Sequence, residues 1–254
     1  MPDLLQIGGI TDTMRDRLSE HFTIHKLGDA AYPADAITHI ATNGHDGVPA
    51  DVMAACPNLK MISCYGVGYD AIDTTAAADR GILVTLTPDV LNAEVASTTI
   101  LLMLASFRNF LADEAHARSG AWEKGGAPLS RSADNRRVGI LGLGRIGQAI
   151  ADKLAVFNAD IHYHTRTKKD VPYTYHASLT DMAQAVEVLI CITPGGPSTY
   201  RIVNAEVMDA LGPEGTLINV SRGSVVDEPA MVQALQDGRL GYAALDVFEA
   251  EPKI

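Results

Sequence analysis

The chain alternates short apolar runs with segments of helical periodicity, beginning with its first residues. In the opening third, the apolar runs that predict strands lie at 4–7, 23–27, 37–41, 61–64 and 82–84. Helical patterns through Met14 and Leu18 and across 49–56 separate several of these runs. Because strands joined by helical crossovers run in the same direction, this order predicts a parallel sheet.

The same alternation returns in the second half of the chain. The predicted strands there are 138–141, 160–169, 188–192, 216–220 and 243–248, and the predicted helices are 146–157, 178–186, 204–211 and 228–237. Between the two halves, a long helical pattern from Leu91 to about Ala117 predicts a connector between two lobes. The fold class is therefore α/β, with two lobes that each contain a parallel sheet and flanking helices. We place the domains at 1–91 and 92–254.

A G-x-G-x-x-G pattern, formed by Gly142, Gly144 and Gly147, lies between one predicted strand and the helix that follows it. Glycines suit this turn because a Cβ would block the close approach of a pyrophosphate, which the N–H groups at the helix start can bind. Three glycines alone also occur by chance at helix starts, but here the strand and the helix are both predicted. The stretch therefore predicts a dinucleotide site.

The next predicted strand indicates which dinucleotide binds. An NAD-binding chain places an acid about 20 residues past the glycines, near Thr165, and no acid stands at this strand end. Thr165 and Thr167 offer hydroxyl groups instead. Arg166, Lys168 and Lys169 bring positive charge to the place where an additional 2′-phosphate would lie. These residues favour NADP(H), with NAD(H) also allowed; the alternative is a basic loop that contacts only solvent.

Composition restricts the partners of the chain. A formal net charge of −11 over 254 residues argues against nucleic acid or an anionic membrane, because both bind basic surfaces. Cys56, Cys64 and Cys191 are widely spaced, so they predict neither a disulfide framework nor a metal site and fit a reducing, cytoplasmic compartment. The first residues lack the features of a signal peptide, and the most apolar run, 100–105, is far shorter than a membrane span.

Two sets of residues at predicted strand ends are candidates for ligand binding. Gly66 and Gly68 follow the strand at 61–64, where their N–H groups could receive a carboxylate, although a purely structural turn explains the spacing equally well. Arg222, Asp246 and Glu251 stand near the carboxyl ends of later strands, the edge at which ligands bind in open α/β sheets.

The polar segment 118–135 contains the chain's one tryptophan, Trp122. We interpret it as a loop that reaches away from the body of its own lobe toward a second subunit. Burial of the indole against its own helix fits the sequence as well, because aromatic side chains serve both purposes.

These segments resemble the D-isomer-specific 2-hydroxyacid dehydrogenase family over nearly the whole chain. The matching segments are 65–73, 87–96, 142–147, 219–228 and 245–252. Within the family, the early segments and the loop at 165–168 are most similar to NADPH-dependent hydroxypyruvate and glyoxylate reductases. The resemblance implies a flavodoxin-like substrate-binding domain at 1–91 and a Rossmann NADP-binding domain at 92–254. It also implies a cytoplasmic homodimer that reduces a small 2-oxo acid to the D-2-hydroxy acid.

The resemblance also implies roles for single residues. Arg222 would bind the substrate carboxylate and polarise its carbonyl, with the backbone of Val67 and Gly68 holding the carboxylate. Glu251 would hydrogen-bond a catalytic histidine and keep it protonated, and Trp122 would reach the neighbouring subunit's active site. The implied cofactor-binding residues are Thr98, Gly142, Gly144, Arg145, Ile146, Gly147, Thr165, Arg166, Thr167, Lys168, Thr193, Val220, Ser221 and Asp246.

One departure from the family concerns the proton donor. The family's histidine lies in a proline-histidine segment after the Glu-x-Glu-Pro motif, and none of the eight histidines here occupies that motif. We therefore expect the protein to continue beyond Ile254 with this histidine, the last Rossmann strand and a helix that returns to the first lobe. Two alternatives stay open: a dinucleotide-sensing regulator similar to the family's transcriptional co-repressors, and an NAD-dependent 3-phosphoglycerate dehydrogenase, against which the basic loop argues.

Overall fold

The computed structural model describes residues 1–29, 31–251 and 253. The chain divides into two compact units, Met1–Leu91 and Asn92–Ile254. Each unit contains one parallel sheet whose strands alternate with helices. The predicted α/β fold with two parallel sheets is confirmed.

The first unit is a five-stranded sheet with three α-helices among its described residues. Its elements are β1 (Asp3–Gln6), α1 (Asp12–Ser19), β2 (Thr23–Lys26), β3 (Ile37–Asn43), α2 (Ala50–Ala55), β4 (Met61–Tyr65), α3 (Thr74–Asp79) and β5 (Leu83–Thr85). The strand order β2-β1-β3-β4-β5 is the 2-1-3-4-5 order of flavodoxin-like sheets. Helix α3 was not predicted, because its short alanine-rich segment has no apolar period; the Asp73 carboxylate caps it by accepting the Ala76 N–H.

The second unit contains a six-stranded sheet. Its elements are α4 (Asn92–Phe107), α5 (Phe110–Arg118), β6 (Arg137–Leu141), α6 (Arg145–Leu154), β7 (Asp160–His164), β8 (Thr174–Tyr175), α7 (Leu179–Ala185), β9 (Val188–Cys191), α8 (Ala205–Leu211), β10 (Thr216–Asn219), α9 (Glu228–Gln236) and β11 (Tyr242–Leu245). The order from one edge is β8-β7-β6-β9-β10-β11, which within this unit is the 3-2-1-4-5-6 order of dinucleotide-binding sheets. Strand β11 is the sixth strand in this order.

The predicted long connecting helix is two helices, so this prediction was wrong. Helix α4 ends at Phe107, and α5 begins at Phe110 with its axis bent by 59°. Asn109 lies between them at φ 48°, a left-handed conformation that asparagine adopts more readily than most residues. The apolar periodicity continues across the break, which is why the sequence pattern concealed it. In the described part of the chain no single helix is long and apolar enough to cross a membrane; only the bent pair meets that test, by length and composition.

The core of the second unit surrounds its central strands. All four residues of β9 are buried, as expected for a parallel sheet covered by helices on both faces. Phe107 of α4 and Ile150 and Leu154 of α6 pack in one cluster with Val138 and Ile140 of β6. Cys191 is fully buried at the end of β9, and this burial raises the pKa of its thiol to about 12. The thiol is therefore protonated at neutral pH and a poor nucleophile.

Two histidines face each other at the β8 edge of this sheet. The Nδ1 atom of His162 lies 2.8 Å from Nε2 of His176, and His162 Nε2 lies 3.3 Å from an Asp160 carboxylate oxygen. The His176 carbonyl also lies 2.9 Å from Nδ1 of His164. Burial, the neighbouring His162 and, more weakly, His164 lower the pKa of His176, while Asp181 opposes the shift. His162 is buried.

The lowered pKa of His176 predicts acid sensitivity. The unfolded chain takes up this proton near pH 6.5 and the folded chain only at lower pH, so the free energy of unfolding should fall as the pH drops below that value. His176→Gln removes the proton uptake, and its unfolding free energy should fall less steeply than that of the wild type. Urea unfolding at neutral and mildly acidic pH measures the two slopes. The same substitution at exposed His21 is the control; equal slopes for His176→Gln and the wild type would contradict the assignment.

Candidate functional site

The turn after β6 brings two strand ends close together. Gly142 has φ +100°, and a Cβ at this position would lie 2.8 Å from the Ile192 carbonyl oxygen and 2.9 Å from Cα of Thr193, both just past β9. The Gly142 N–H donates to the His164 carbonyl at 3.0 Å, at the end of β7. Only glycine satisfies the positive φ and this close approach together. Gly142 therefore connects the ends of β6, β7 and β9.

The other two glycines of the motif serve different purposes. A Cβ on Gly147 would lie 2.4 Å from the Gly142 carbonyl oxygen, so this glycine allows α6 to pack directly against the turn. A Cβ on Gly144, at the N-cap of α6, would meet no heavy atom within 4 Å, because the space beside it is open. The first N–H groups of a helix have no acceptor within that helix and attract an anion. The open space at Gly144 thus fits the pyrophosphate of a dinucleotide.

The basic loop follows β7, the neighbour of β6. Arg166, Thr167 and Lys168 are exposed and Thr165 is half-buried. The Thr165 hydroxyl donates to the Thr167 carbonyl at 2.7 Å, so it shapes the loop in addition to offering an acceptor to a ligand. The cationic side chains of the loop are therefore exposed, while a hydrogen bond within the loop restrains its backbone.

The ends of four neighbouring strands lie side by side at this edge. Leu141, Cys191, Asn219 and Leu245, from β6, β9, β10 and β11, are in register. The residues that follow them are Gly142, Ile192, Val220 and Asp246. The structure thus brings the predicted cofactor residues Gly142, Thr193, Val220, Ser221 and Asp246 to one edge, on both sides of the point between β6 and β9 where the strand order reverses.

Asn219 organises the turn that carries Arg222. Its Oδ1 accepts the N–H of Ser221 at 3.1 Å and the hydroxyl of Ser221 at 2.7 Å, while its Nδ2 donates to the Arg222 carbonyl at 2.9 Å. Asn219 is almost completely buried. We did not assign this residue a role from the sequence, although an asparagine at a strand end is typical of such side chain-to-backbone turns.

Arg222 is half-buried with an extended backbone. One of its guanidinium nitrogens, Nη1, donates to the Ser221 carbonyl at 2.8 Å. The next residue, Gly223, packs directly against the turn after β11, since a Cβ there would lie 2.0 Å from the carbonyl carbon of Phe248. The backbone on both sides of the arginine is thus fixed by neighbours, which limits the positions that its side chain can take.

The turn after β11 carries two more predicted residues. The N–H of exposed Asp246 donates to the Asn219 carbonyl at 2.9 Å. The Glu251 carboxylate accepts the Phe248 N–H at 2.7 Å, and Glu249 pairs with Arg201 at 3.0 Å. Glu251 therefore closes its own turn, a contact that the sequence did not predict. Pro252, the last residue of the matching segment, lies outside the described residues.

The remaining predicted site residues lie on several elements of the two units. Val67 and Gly68 are half-buried in the turn after β4 of the first unit, where the Cys64 sulfur lies 3.7 Å from the Gly68 carbonyl. Thr98 is half-buried on α4, while exposed Arg145 and half-buried Ile146 form the first turn of α6. Trp122 lies in a 3-10 turn, Ala121–Lys124, and is 65% exposed, so burial against its own helix is not observed. No cluster of three or more His, Cys, Asp or Glu side chains suited to a metal ion occurs in the described part of the chain.

Comparisons with known proteins agree with this arrangement. The family model of the D-isomer specific 2-hydroxyacid dehydrogenase, NAD binding domain, matches residues 100–254. A glyoxylate/hydroxypyruvate reductase of Arabidopsis thaliana is 43% identical over 221 residues, covering 87% of this chain and 71% of the plant protein. A 2-ketogluconate reductase of Gluconobacter oxydans is 39% identical over 257 residues, covering 100% of this chain and 83% of that protein.

A solved structure is similar over the same extent. The crystal structure of the NADPH-dependent glyoxylate/hydroxypyruvate reductase of Sinorhizobium meliloti, in complex with NADP and malonate, has a TM-score of 0.93 and 44% sequence identity, and the match covers 100% of this chain and 82% of that one. The resemblance stated from the motifs is confirmed by the family match and by these relatives. The chain belongs to the D-isomer specific 2-hydroxyacid dehydrogenase family.

Proposed function

We propose that the chain is an NADPH-dependent reductase of small 2-oxo acids of the glyoxylate and hydroxypyruvate class, with the D-2-hydroxy acid as product. The observation that carries the proposal is the open space at Gly144 together with the exposed cations of Arg166 and Lys168 after the neighbouring strand. The similar Sinorhizobium meliloti enzyme is described as NADPH-dependent and was solved with NADP. The reported relatives are named as reductases, which favours an enzyme over a dinucleotide-sensing regulator.

The cofactor would lie along the carboxyl edge of the second sheet. The N–H groups at the start of α6, from Arg145 and Ile146 onward, would hold its pyrophosphate, and Arg166 and Lys168 its 2′-phosphate. Thr98, Thr193 and Asp246 would line the nicotinamide side, with Val220 and Ser221 beside the ring. When bound, the cofactor supplies the hydride.

The chain's own groups would orient the substrate and stabilise charge. The Arg222 guanidinium would bind the substrate carboxylate together with the backbone of Val67 and Gly68, and would stabilise the negative charge that develops on the carbonyl oxygen. The fixed turn at Asn219 supports this role, because a charge held in place needs little rearrangement during the reaction. Glu251 would orient the histidine that donates the proton.

We further propose a cytoplasmic homodimer. Exposed apolar side chains on the second unit support a partner surface; they are Leu101, Phe110, Leu111, Trp122 and Leu129. Trp122 would reach from this surface into the substrate site of the neighbouring subunit. Cys56, Cys64 and Cys191 are buried thiols, which is compatible with a reducing compartment.

Arg166→Ala tests the cofactor assignment. Loss of a charge-assisted hydrogen bond to the 2′-phosphate should raise the NADPH dissociation constant about tenfold or more and leave that of NADH nearly unchanged. Fluorescence titration of both cofactors gives the two constants. Arg17→Ala, an exposed arginine of α1, is the matched control and should change neither. Equal weakening of both cofactors by Arg166→Ala would refute the 2′-phosphate assignment.

A further inference from the structure

The backbone of the basic loop is bonded to a buried tyrosine. Tyr163, on β7, is fully buried, and its ring belongs to the core cluster of the second unit. Its hydroxyl accepts the Lys169 N–H at 2.9 Å and donates to the Lys169 carbonyl at 3.1 Å. One phenol oxygen thus satisfies both backbone groups of the residue that ends the basic loop.

A second tyrosine contacts the other end of the loop. Tyr175, on β8, packs its ring against that of Tyr163 with centroids 5.4 Å apart, and its hydroxyl donates to the Thr165 carbonyl at 3.4 Å. This bond is longer than a typical O–H···O hydrogen bond, so we attribute less of the restraint to it. Inside the loop, the Thr165 hydroxyl bonds to the Thr167 carbonyl at 2.7 Å. Hydrogen bonds therefore restrain the loop from 165 to 169 at its start, in its middle and at its end.

We propose that Tyr163 is a positioning residue that sets the preference for the phosphorylated cofactor, an inference that rests on the proposed function. Arg166 and Lys168 are exposed on a segment without helix or strand structure. Cations on a backbone that is already restrained lose less conformational entropy when they bind a phosphate than cations on a loose one. The phenol of Tyr163 supplies that restraint from the core. NADH has no 2′-phosphate, so its binding does not depend on the position of these side chains.

The alternative is that Tyr163 only stabilises the second unit. A buried hydroxyl with two backbone partners contributes to folding in either case. The two roles differ in one measurable quantity, the ratio of the NADPH and NADH dissociation constants. A structural role changes the unfolding free energy and both constants together, whereas a positioning role changes their ratio.

Tyr163→Phe keeps the ring in the core and removes only the hydroxyl. We expect the NADPH dissociation constant to rise about two- to tenfold, the range of one lost hydrogen bond, with the NADH constant changed less than about twofold. The matched control is Tyr242→Phe on β11, at the opposite edge of the same sheet, which should leave the ratio unchanged. Should Tyr163→Phe fold poorly, Tyr175→Phe should shift the ratio in the same direction and by less.

A double-mutant cycle shows whether the tyrosine acts through the cations. In the background of Arg166→Ala with Lys168→Ala, adding Tyr163→Phe should change the ratio no further. Three results would each overturn the inference. They are a further change of the ratio by the same size in that background, an equal loss of affinity for both cofactors, and an unchanged ratio in Tyr163→Phe alone. If the cation variants themselves leave the ratio unaltered, the proposed 2′-phosphate site is wrong. If they shift the ratio and Tyr163→Phe does not, only the role of Tyr163 is wrong.

Discussion

Replacing Arg222 with glutamine should lower kcat/KM for a small 2-oxo acid by roughly a hundredfold or more, equivalent to about 3 kcal/mol of transition-state stabilisation. Glutamine retains a hydrogen-bond donor but lacks the positive charge and the bidentate geometry with which a guanidinium binds a carboxylate. The substitution removes the guanidinium's bond to the Ser221 carbonyl but leaves the bonds of Asn219 to Ser221 and to the Arg222 carbonyl in place, so the turn should survive. The loss should therefore be chemical rather than structural.

Steady-state NADPH oxidation with glyoxylate and with hydroxypyruvate measures this loss. Arg239→Gln is the matched control, since Arg239 pairs with Asp209 and Asp237 away from the carboxyl edge and should leave kcat/KM within about twofold, the range of an ordinary surface change. The NADPH dissociation constant of Arg222→Gln should match that of the wild type. Retained activity, or a rate loss explained by weaker NADPH binding, would exclude the proposed role of Arg222.

The sheets were predictable from the sequence because their signal is local. Buried parallel strands give continuous apolar runs, and β9 is buried along its whole length, so its position could be read directly. Gly142 and Gly147 were likewise predictable as a motif. Their separate purposes were not, since they depend on Ile192 and on the carbonyl of Gly142, which only the folded chain brings close.

The parts that the sequence did not predict depend on single side chain-to-backbone bonds. The break at Asn109 rests on one residue's φ, and the turn at Asn219 rests on one amide. The hydrogen bond by which Tyr163 restrains the basic loop joins it to Lys169, six positions away in sequence. Such pairings carry no periodic signal, because a different tertiary structure would give the same side chains different partners. The roles of Arg222 and Glu251 came from the family resemblance alone.

Gly144→Val should strongly weaken dinucleotide binding while leaving the fold intact. Gly144 has φ −85°, which valine adopts without strain, and the first side-chain atom would enter open space. The stability cost is that of a poor N-cap residue, about 1 kcal/mol. The isopropyl group would occupy the space proposed for the pyrophosphate, so both NADPH and NADH should bind at least about a hundredfold more weakly, a loss of roughly 3 kcal/mol.

Two further glycine variants make this expectation specific. Gly147→Val places its Cβ 2.4 Å from the Gly142 carbonyl oxygen, so it should destabilise the second unit itself and prevent normal folding. Gly9→Val, at another open glycine, should preserve both stability and cofactor binding.

Thermal unfolding together with titration of both cofactors separates the three cases. If Gly144→Val bound NADPH normally, the open space at the start of α6 would not be the pyrophosphate site, and the cofactor would have to lie elsewhere on the sheet edge. The proposal requires that Gly144→Val weaken the binding of both cofactors while lowering the unfolding temperature by only about 2–4 °C, the shift expected for about 1 kcal/mol. Arg166→Ala, in contrast, should weaken the binding of NADPH alone. The two variants together therefore distinguish the pyrophosphate site, which every dinucleotide uses, from the 2′-phosphate site, which only NADPH uses.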